Sequence, residues 1–240
     1  PGAFDAELAY VTGGMTWEAD YNIIAPENGY DLNVNGWITM ENMTGKDFEN
    51  ARIKLMAGDV NKIQQSGQGY MYAARDALAA ESMAPNVTEK SFDEYHLYSV
   101  ARPVTLRDRE TKQVEFVNAG SVASEQLYVY DGSWIDPNQY GYWNWEQIRR
   151  EPSYGTQSNP KVWVMRQFEN TAENGLGIPL PKGRVRFYKQ DSDGRLEFVG
   201  ENVIDHTPKD ETVRVYTGNA FDIVGERVQK NYTVNWDDDW

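Results

Sequence analysis

The stretch Asn174–Gly200, NGLGIPLPKGRVRFYKQDSDGRLEFVG, decides how the chain is read. It gathers glycines, prolines, the arginines Arg184, Arg186 and Arg195, and an Asp-Ser-Asp-Gly run. Arg184–Lys189 alternates, with Val185 and Phe187 opposite Arg184 and Arg186. A period of two marks a strand with one buried face. A second strand is predicted over Arg195–Val199. The intervening QDSDG supplies turn chemistry: Asp carboxylates accept from nearby backbone N–H groups, and Gly194 reaches positive φ without a steric penalty. The stretch therefore reads as a β-hairpin. An Asp-Ser-Asp-Gly run also opens calcium loops, but those need further oxygen ligands and a distant glutamate, and Glu197 stands too close. Upstream, Pro179 and Pro181 in GIPLPKG force extended geometry. Neither phosphate-loop spacing nor the dinucleotide glycine pattern occurs there.

The same alternation recurs outward from this hairpin. In DLNVNGWITMEN, Leu32, Val34, Ile38 and Met40 share one face, and Trp37 joins the polar residues on the other. KQVEFV sets Val114 and Phe116 opposite Gln113 and Glu115, and VRVYTG repeats the pattern with Val213 and Val215. Short alternating segments separated by Gly, Asn, Asp and Pro predict an all-β chain, built as antiparallel immunoglobulin-like β-sandwich(es). A first β-sandwich portion is placed at residues 1–104 and a second at 105–240.

Two non-β insertions interrupt this pattern. Residues 61–90 include the Ala-rich GYMYAARDALAAESMAPNV, read as one short helix or a mobile surface loop. Residues 131–160 carry Trp134, Tyr140, Tyr142, Trp143, Trp145 and Tyr154, the densest aromatic tract in the chain. Trp and Tyr stack on sugar rings and anchor protein interfaces, and they also build small local cores. Trp143 and Trp145, two apart, would share a face of an extended segment, with Tyr142 on the other. These six residues form the candidate binding surface.

Composition narrows the function classes. The 240 residues suit one large all-β domain or two ordinary ones, and 40% hydrophobic with 25% charged residues supports a packed core. A net charge of −14 repels phosphate backbones and anionic lipid, which argues against nucleic acid as a partner. The absence of cysteine excludes disulfides, thiolate catalysis and cysteine metal sites. No apolar run reaches eighteen residues, so no direct membrane insertion by a helix is expected. The opening PGAFDAELAY has no basic start and no apolar core, unlike a signal peptide.

Candidate chemistry is sparse. The two histidines, His96 in DEYHLYSV and His206 in VIDHTPKD, are read as a strand residue and a turn residue. Without cysteine they make no ordinary zinc site unless carboxylates join them. No Gly-x-Ser-x-Gly elbow occurs. Asp205 and His206 are chain neighbours, whose side chains point apart on a strand. Glu146, close to Trp143 and Trp145, has the pattern of an acid in an aromatic cleft, but it is read as opening a polar turn, EQIRRE. No catalytic residue is assigned. Calcium is the one cofactor considered, through Asp-Ser-Asp-Gly or the tail NWDDDW. Asn42-Met43-Thr44, Asn86-Val87-Thr88 and Asn231-Tyr232-Thr233 match the glycosylation sequon, as chance supplies in an Asn-rich chain.

Long motifs in order, LAYVTGGMTWEADYNI, GWITMENMTGKDFENARIKLMAGDVN, FDEYHLYSVARPVTLRDRETKQVEFV and NGLGIPLPKGRVRFYKQDSDGRLEFVGENVIDHTPKDETVRVYTGNAFDIVGER, carry a family resemblance. The chain resembles domain-of-unknown-function family 4139, the mucoidy-inhibitor-like C-terminal β domain, over about residues 6–61 and 92–228. The resemblance implies a bacterial, often exported β-sandwich with no assigned activity, cofactor or catalytic residue. Family members commonly carry a coiled coil ahead of this region and further strands after the DIVGER motif, and neither is seen here. The expected function is a non-enzymatic, extracytoplasmic structural or interaction module. It would associate with a protein partner or itself, through sheet edges and the aromatic insertion. The alternative is a carbohydrate-binding or carbohydrate-active sandwich that uses the insertion to hold a glycan.

Overall fold

The computed structural model describes residues 4, 6–58, 87–92, 95–135, 137–156 and 158–233. In chain order its elements are β1 (Met15–Ala25), β2 (Leu32–Asn42), β3 (Phe48–Ala51), β4 (Lys54–Ala57), β5 (Val87–Phe92), β6 (Tyr95–Val100), β7 (Val104–Leu106), β8 (Thr111–Val122), β9 (Ser124–Val129), α1 (Pro137–Tyr140), α2 (Trp145–Arg150), β10 (Lys161–Glu169), β11 (Gly183–Gln190), β12 (Leu196–Ile204) and β13 (Thr212–Val224). The fold is all-β and sandwich-like. A five-stranded sheet runs β12-β11-β1-β2-β8, beside sheets β13-β10-β9, β4-β6-β5 and β3-β7.

Among the described residues the strand pairing is antiparallel with one departure. β1 and β11 run parallel, from Ala19 opposite Gly183 to Ala25 opposite Lys189. Parallel neighbours need a long connection, and here every element from β2 to β10 lies between them. This pairing also joins strands from both sides of residue 104, so the main sheet draws on both portions of the chain.

Alternating residues build the core as their spacing predicts. Ala19, Tyr21, Ile23 and Ala25 of β1 are buried with Val34, Ile38 and Met40 of β2 and Val185 and Phe187 of β11. The register sets Ile23 between Val34 and Phe187. Leu55 of β4, Tyr98 of β6, Phe168 of β10, and Val213 and Val215 of β13 belong to the same buried cluster. Phe116 holds the layers together by its edges, 5.7 Å from the Tyr21 ring and 6.3 Å from the Tyr98 ring. Edge-to-face pairs of this kind add about 0.5–1.5 kcal/mol beyond the buried area.

β8 departs from simple alternation. Phe116 and Val117 are both buried, and Val114 is only partly so. Gly36 pairs with Val117 while Trp37 pairs with Glu115, which leaves Phe116 as the extra residue of a bulge. A bulge shifts the phase by one residue, so consecutive side chains enter the core. Phe116 occupies the space over Gly36, where a Cβ would lie 2.9 Å from its Cε1.

The Asn174–Gly200 stretch folds as a hairpin. β11 and β12 pair from Gly183–Ile204 to Gln190–Leu196. The Asp191 N–H donates to the Arg195 carbonyl at 2.8 Å, and Gly194 sits at φ +82. Asp191 Oδ1 accepts from the Ser192 N–H and Asp193 Oδ1 from the Arg195 N–H. Both carboxylates thus serve the turn.

One expectation about the insertions changes. Most of the 61–90 tract, with its expected helix or loop, lies outside the described residues. Its end is not an excursion: Val87–Lys90 belongs to β5 and pairs with β6. Val87 is buried there, because Val-Thr-Glu-Lys-Ser alternates against a neighbouring strand. The described helices, α1 and α2, lie in the aromatic insertion. Among the described residues no helix is long and apolar enough to cross a membrane.

Candidate functional site: an aromatic platform between β9 and β10

The insertion is built from local turn and cap chemistry. Asp131 Oδ1 accepts from the Ser133 hydroxyl at 2.6 Å and the Ser133 N–H at 2.9 Å, which holds its carboxyl below the usual range. After α1, the Trp143 N–H donates to the Tyr140 carbonyl at 3.0 Å. Asn144 then caps α2. Its Oδ1 accepts from the Gln147 N–H at 2.9 Å, and Gln147 Oε1 accepts from the Asn144 N–H at 2.8 Å. This reciprocal pair satisfies two helix-end donors. Glu146 in the first turn and Arg149 and Arg150 in the last complement the helix dipole.

The cap explains why the extended reading of this segment fails. Trp145 is the first helical residue and Trp143 precedes the cap, so the two indoles part company. Glu146, expected in a polar turn, lies in the first helical turn and is exposed.

The six aromatic residues divide into two groups. Tyr140, Trp143 and Tyr154 pack on one another: Tyr140 lies 5.0 Å from Trp143 and 4.9 Å from Tyr154, and Trp143 lies 6.1 Å from Tyr154. They form a small local core. Tyr142, Trp145 and Trp134 face outward, 98%, 71% and 41% exposed. An open groove beside the ring cluster is lined by Trp143, Asn144, Glu146, Gln147, Arg150 and Glu151. It offers amide, carboxylate and guanidinium groups next to an indole.

The platform is fastened by a segment that the sequence reading did not connect to it. Beyond β13, Arg227 Nη1 donates to the Gly155 carbonyl at 2.5 Å and Gln229 Nε2 to the Pro152 carbonyl at 3.1 Å. The Tyr232 hydroxyl donates to the Arg149 carbonyl at 2.9 Å. The Gly225 N–H donates to the Pro160 carbonyl at 2.9 Å, and Gly225 lies so close to the Tyr130 ring that a Cβ would sit 2.1 Å from it. The glycine and arginine of the DIVGER motif are thus clamp residues. Nothing in their spacing reveals a target some seventy residues upstream.

The other sequence candidates are engaged structurally. His96 Nδ1 lies 2.8 Å from Glu89 Oε1 across the β5–β6 pair, and His206 Nδ1 accepts from the Lys182 N–H at 3.0 Å. Among the described residues no three His, Asp or Glu side chains gather as a metal-holding group. The NWDDDW tail lies outside them. Arg166 on β10 was not singled out from the sequence. It is 7% exposed, and its guanidinium lies over the Tyr30 ring at 5.4 Å. Burial pulls its pKa down.

Comparisons with protein-family models, with curated proteins and with solved structures returned no match.

Proposed function

We propose that the chain is a non-enzymatic, extracytoplasmic interaction module that associates through its aromatic platform and its sheet edges. One observation carries this reading: Tyr142 and Trp145 stand 98% and 71% exposed on an insertion clamped at Gly155, Pro152 and Arg149. Large rings held outward on a fixed support lose little conformational freedom on binding, which is the property of interface anchors. The engagement of both histidines in structural contacts favours binding over histidine-centred catalysis.

Sedimentation velocity of the wild type beside the Tyr142→Ser/Trp145→Ser variant tests the reading. Association that weakens about tenfold or more in the variant supports it. Equal association in both proteins counts against the platform.

The groove at Trp143 favours a second reading, a glycan held between an indole and polar side chains. A broad glycan array probes it, with Glu146→Gln on any hit. Binding that survives in Tyr142→Ser/Trp145→Ser but falls in Glu146→Gln would select the groove over the platform.

A further inference from the structure

Residues 4–11 read Phe-Asp-Ala-Glu-Leu-Ala-Tyr-Val. Phe4, Ala6, Leu8 and Tyr10 fall on one face of an extended chain, with Asp5 and Glu7 on the other. The core strands carry this same pattern, yet the described residues of this segment belong to no strand. Phe4, Leu8, Tyr10 and Val11 are 86%, 81%, 61% and 101% exposed. Gly13 and Gly14 join the segment to β1, with Gly14 at φ +84 and its carbonyl held by the Met43 N–H at 2.6 Å.

Among the described residues, a strand edge of matching character without a ladder partner lies elsewhere in the main sheet. Its two edges are β8 and β12. β8 exposes Thr111, Gln113 and Asn118, polar residues that discourage pairing. β12 exposes Leu196, Phe198, Val199 and Val203 at 49%, 58%, 44% and 59%. Phe198 packs against Tyr188 at 5.8 Å and leaves an apolar shelf. At Gly200 the Thr217 backbone comes within 3.2 Å of where a Cβ would sit, so β13 approaches β12 there, and the run ahead of this contact, Leu196–Val199, is exposed throughout.

This stretch is out of reach within one copy. Phe198 pairs with Tyr188, which pairs with Ile24. Gly14 lies ten residues before Ile24, roughly 33 Å away along the strand direction at about 3.3 Å per residue. Residues 4–13, fully extended, span about the same distance. They would be used up in the approach, with nothing left to pair.

We infer that Ala6–Val11 is a donor strand that adds to the Leu196–Val199 edge of β12 in a second copy of this chain. Strand addition supplies the missing main-chain partners on both sides, and alternate side chains supply register. Leu8 and Tyr10 cover the Tyr188–Phe198 shelf. Glu7 approaches Arg195, whose side chain is 81% exposed and lies 3.3 Å from the Asp193 carboxylate at the end of the hairpin. This names the partner within the assembly reading above and rests on it.

Four proteins test it by sedimentation velocity and light scattering: the wild type, Leu8→Asp/Tyr10→Asp, Phe198→Lys, and Tyr142→Ser/Trp145→Ser. The substituted side chains are exposed, and circular dichroism of each checks that it folds. The wild type is expected to form dimers, weakened tenfold or more in the donor and acceptor variants. A 1:1 mixture of those two variants restores association, because one copy keeps an intact donor and the other an intact edge. A monomeric wild type at about 100 μM, or dimers unchanged in the donor and acceptor variants, overturns the inference. So does a mixture that fails to associate. Association lost only in Tyr142→Ser/Trp145→Ser overturns strand donation and leaves the platform reading standing.

Discussion

The Tyr98 hydroxyl donates to the Pro179 carbonyl at 2.8 Å, from β6 to the proline-rich segment that leads into β11. Tyr21 does the same for Pro181 at 2.7 Å. Pro179 and Pro181 stiffen a segment that runs through the core, and the two tyrosines satisfy its carbonyls there. Burial raises both hydroxyl pKa values, so both stay protonated donors. Tyr98→Phe keeps the ring against Phe116 and removes the donor. It is expected to cost about 1–3 kcal/mol, the cost of an unsatisfied buried acceptor. Exposed Tyr128→Phe should stay within about 0.5 kcal/mol. Urea unfolding followed by tryptophan emission measures both.

Gly183 opens β11 against the parallel strand β1. A Cβ there would lie 2.1 Å from the Ala19 carbonyl oxygen, and the backbone has no soft side chain to yield. Gly183→Ala is expected to destabilise by about 3 kcal/mol or more. At Gly120 a Cβ would meet nothing closer than 3.5 Å, so Gly120→Ala should change stability by less than about 0.5 kcal/mol. Denaturant midpoints of the two variants give the comparison.

Glu110 ties the turn between β7 and β8. Its carboxylate accepts from the Arg107 N–H at 2.6 Å and lies 3.1 Å from Lys112 Nζ, which holds its pKa below the ordinary carboxylate value. A depressed folded-state pKa stabilises the fold above the unfolded-state pKa, and this contribution is lost as pH falls through the folded-state value. The melting temperature of Glu110→Gln should fall below the wild type at pH 7. The gap should close as pH drops from about 5 to 3. A constant gap across this range would contradict the assignment.

The platform clamp predicts a local effect without a global one. Arg227→Ala removes the donor to the Gly155 carbonyl on the surface, away from the buried cluster. The main unfolding transition should move by less than about 1 kcal/mol, since surface changes are small. Limited proteolysis should speed up within residues 131–156, because local opening costs less once a tie is lost. Mass spectrometry of early fragments locates the cuts.

Much of the fold was legible from residue type and spacing. Val185 and Phe187, Leu32 to Met40, and Val213 and Val215 alternate cleanly because each lies on a strand with one buried face. QDSDG specified its turn through local carboxylate and glycine chemistry. The phase slip at Phe116 was hidden, since a bulge depends on the paired strand and not on its own residues. The parallel β1–β11 pairing was hidden for the same reason. The aromatic density marked the insertion that carries the ring cluster and the outward rings. The cap at Asn144 and Gln147 was written locally as N-W-E-Q, but the tryptophans drew the reading toward an extended segment. The ties from Arg227, Gln229 and Tyr232 are long-range contacts to backbone carbonyls, which carry no side-chain identity to recognise.

The outward rings of the platform, on their clamped support, are proposed as a binding surface. Sedimentation velocity of wild type and Tyr142→Ser/Trp145→Ser over a hundredfold range of concentration tests it most directly. The account predicts concentration-dependent association of the wild type and a shift of the variant toward monomer. Identical sedimentation of the two proteins at every concentration would contradict it.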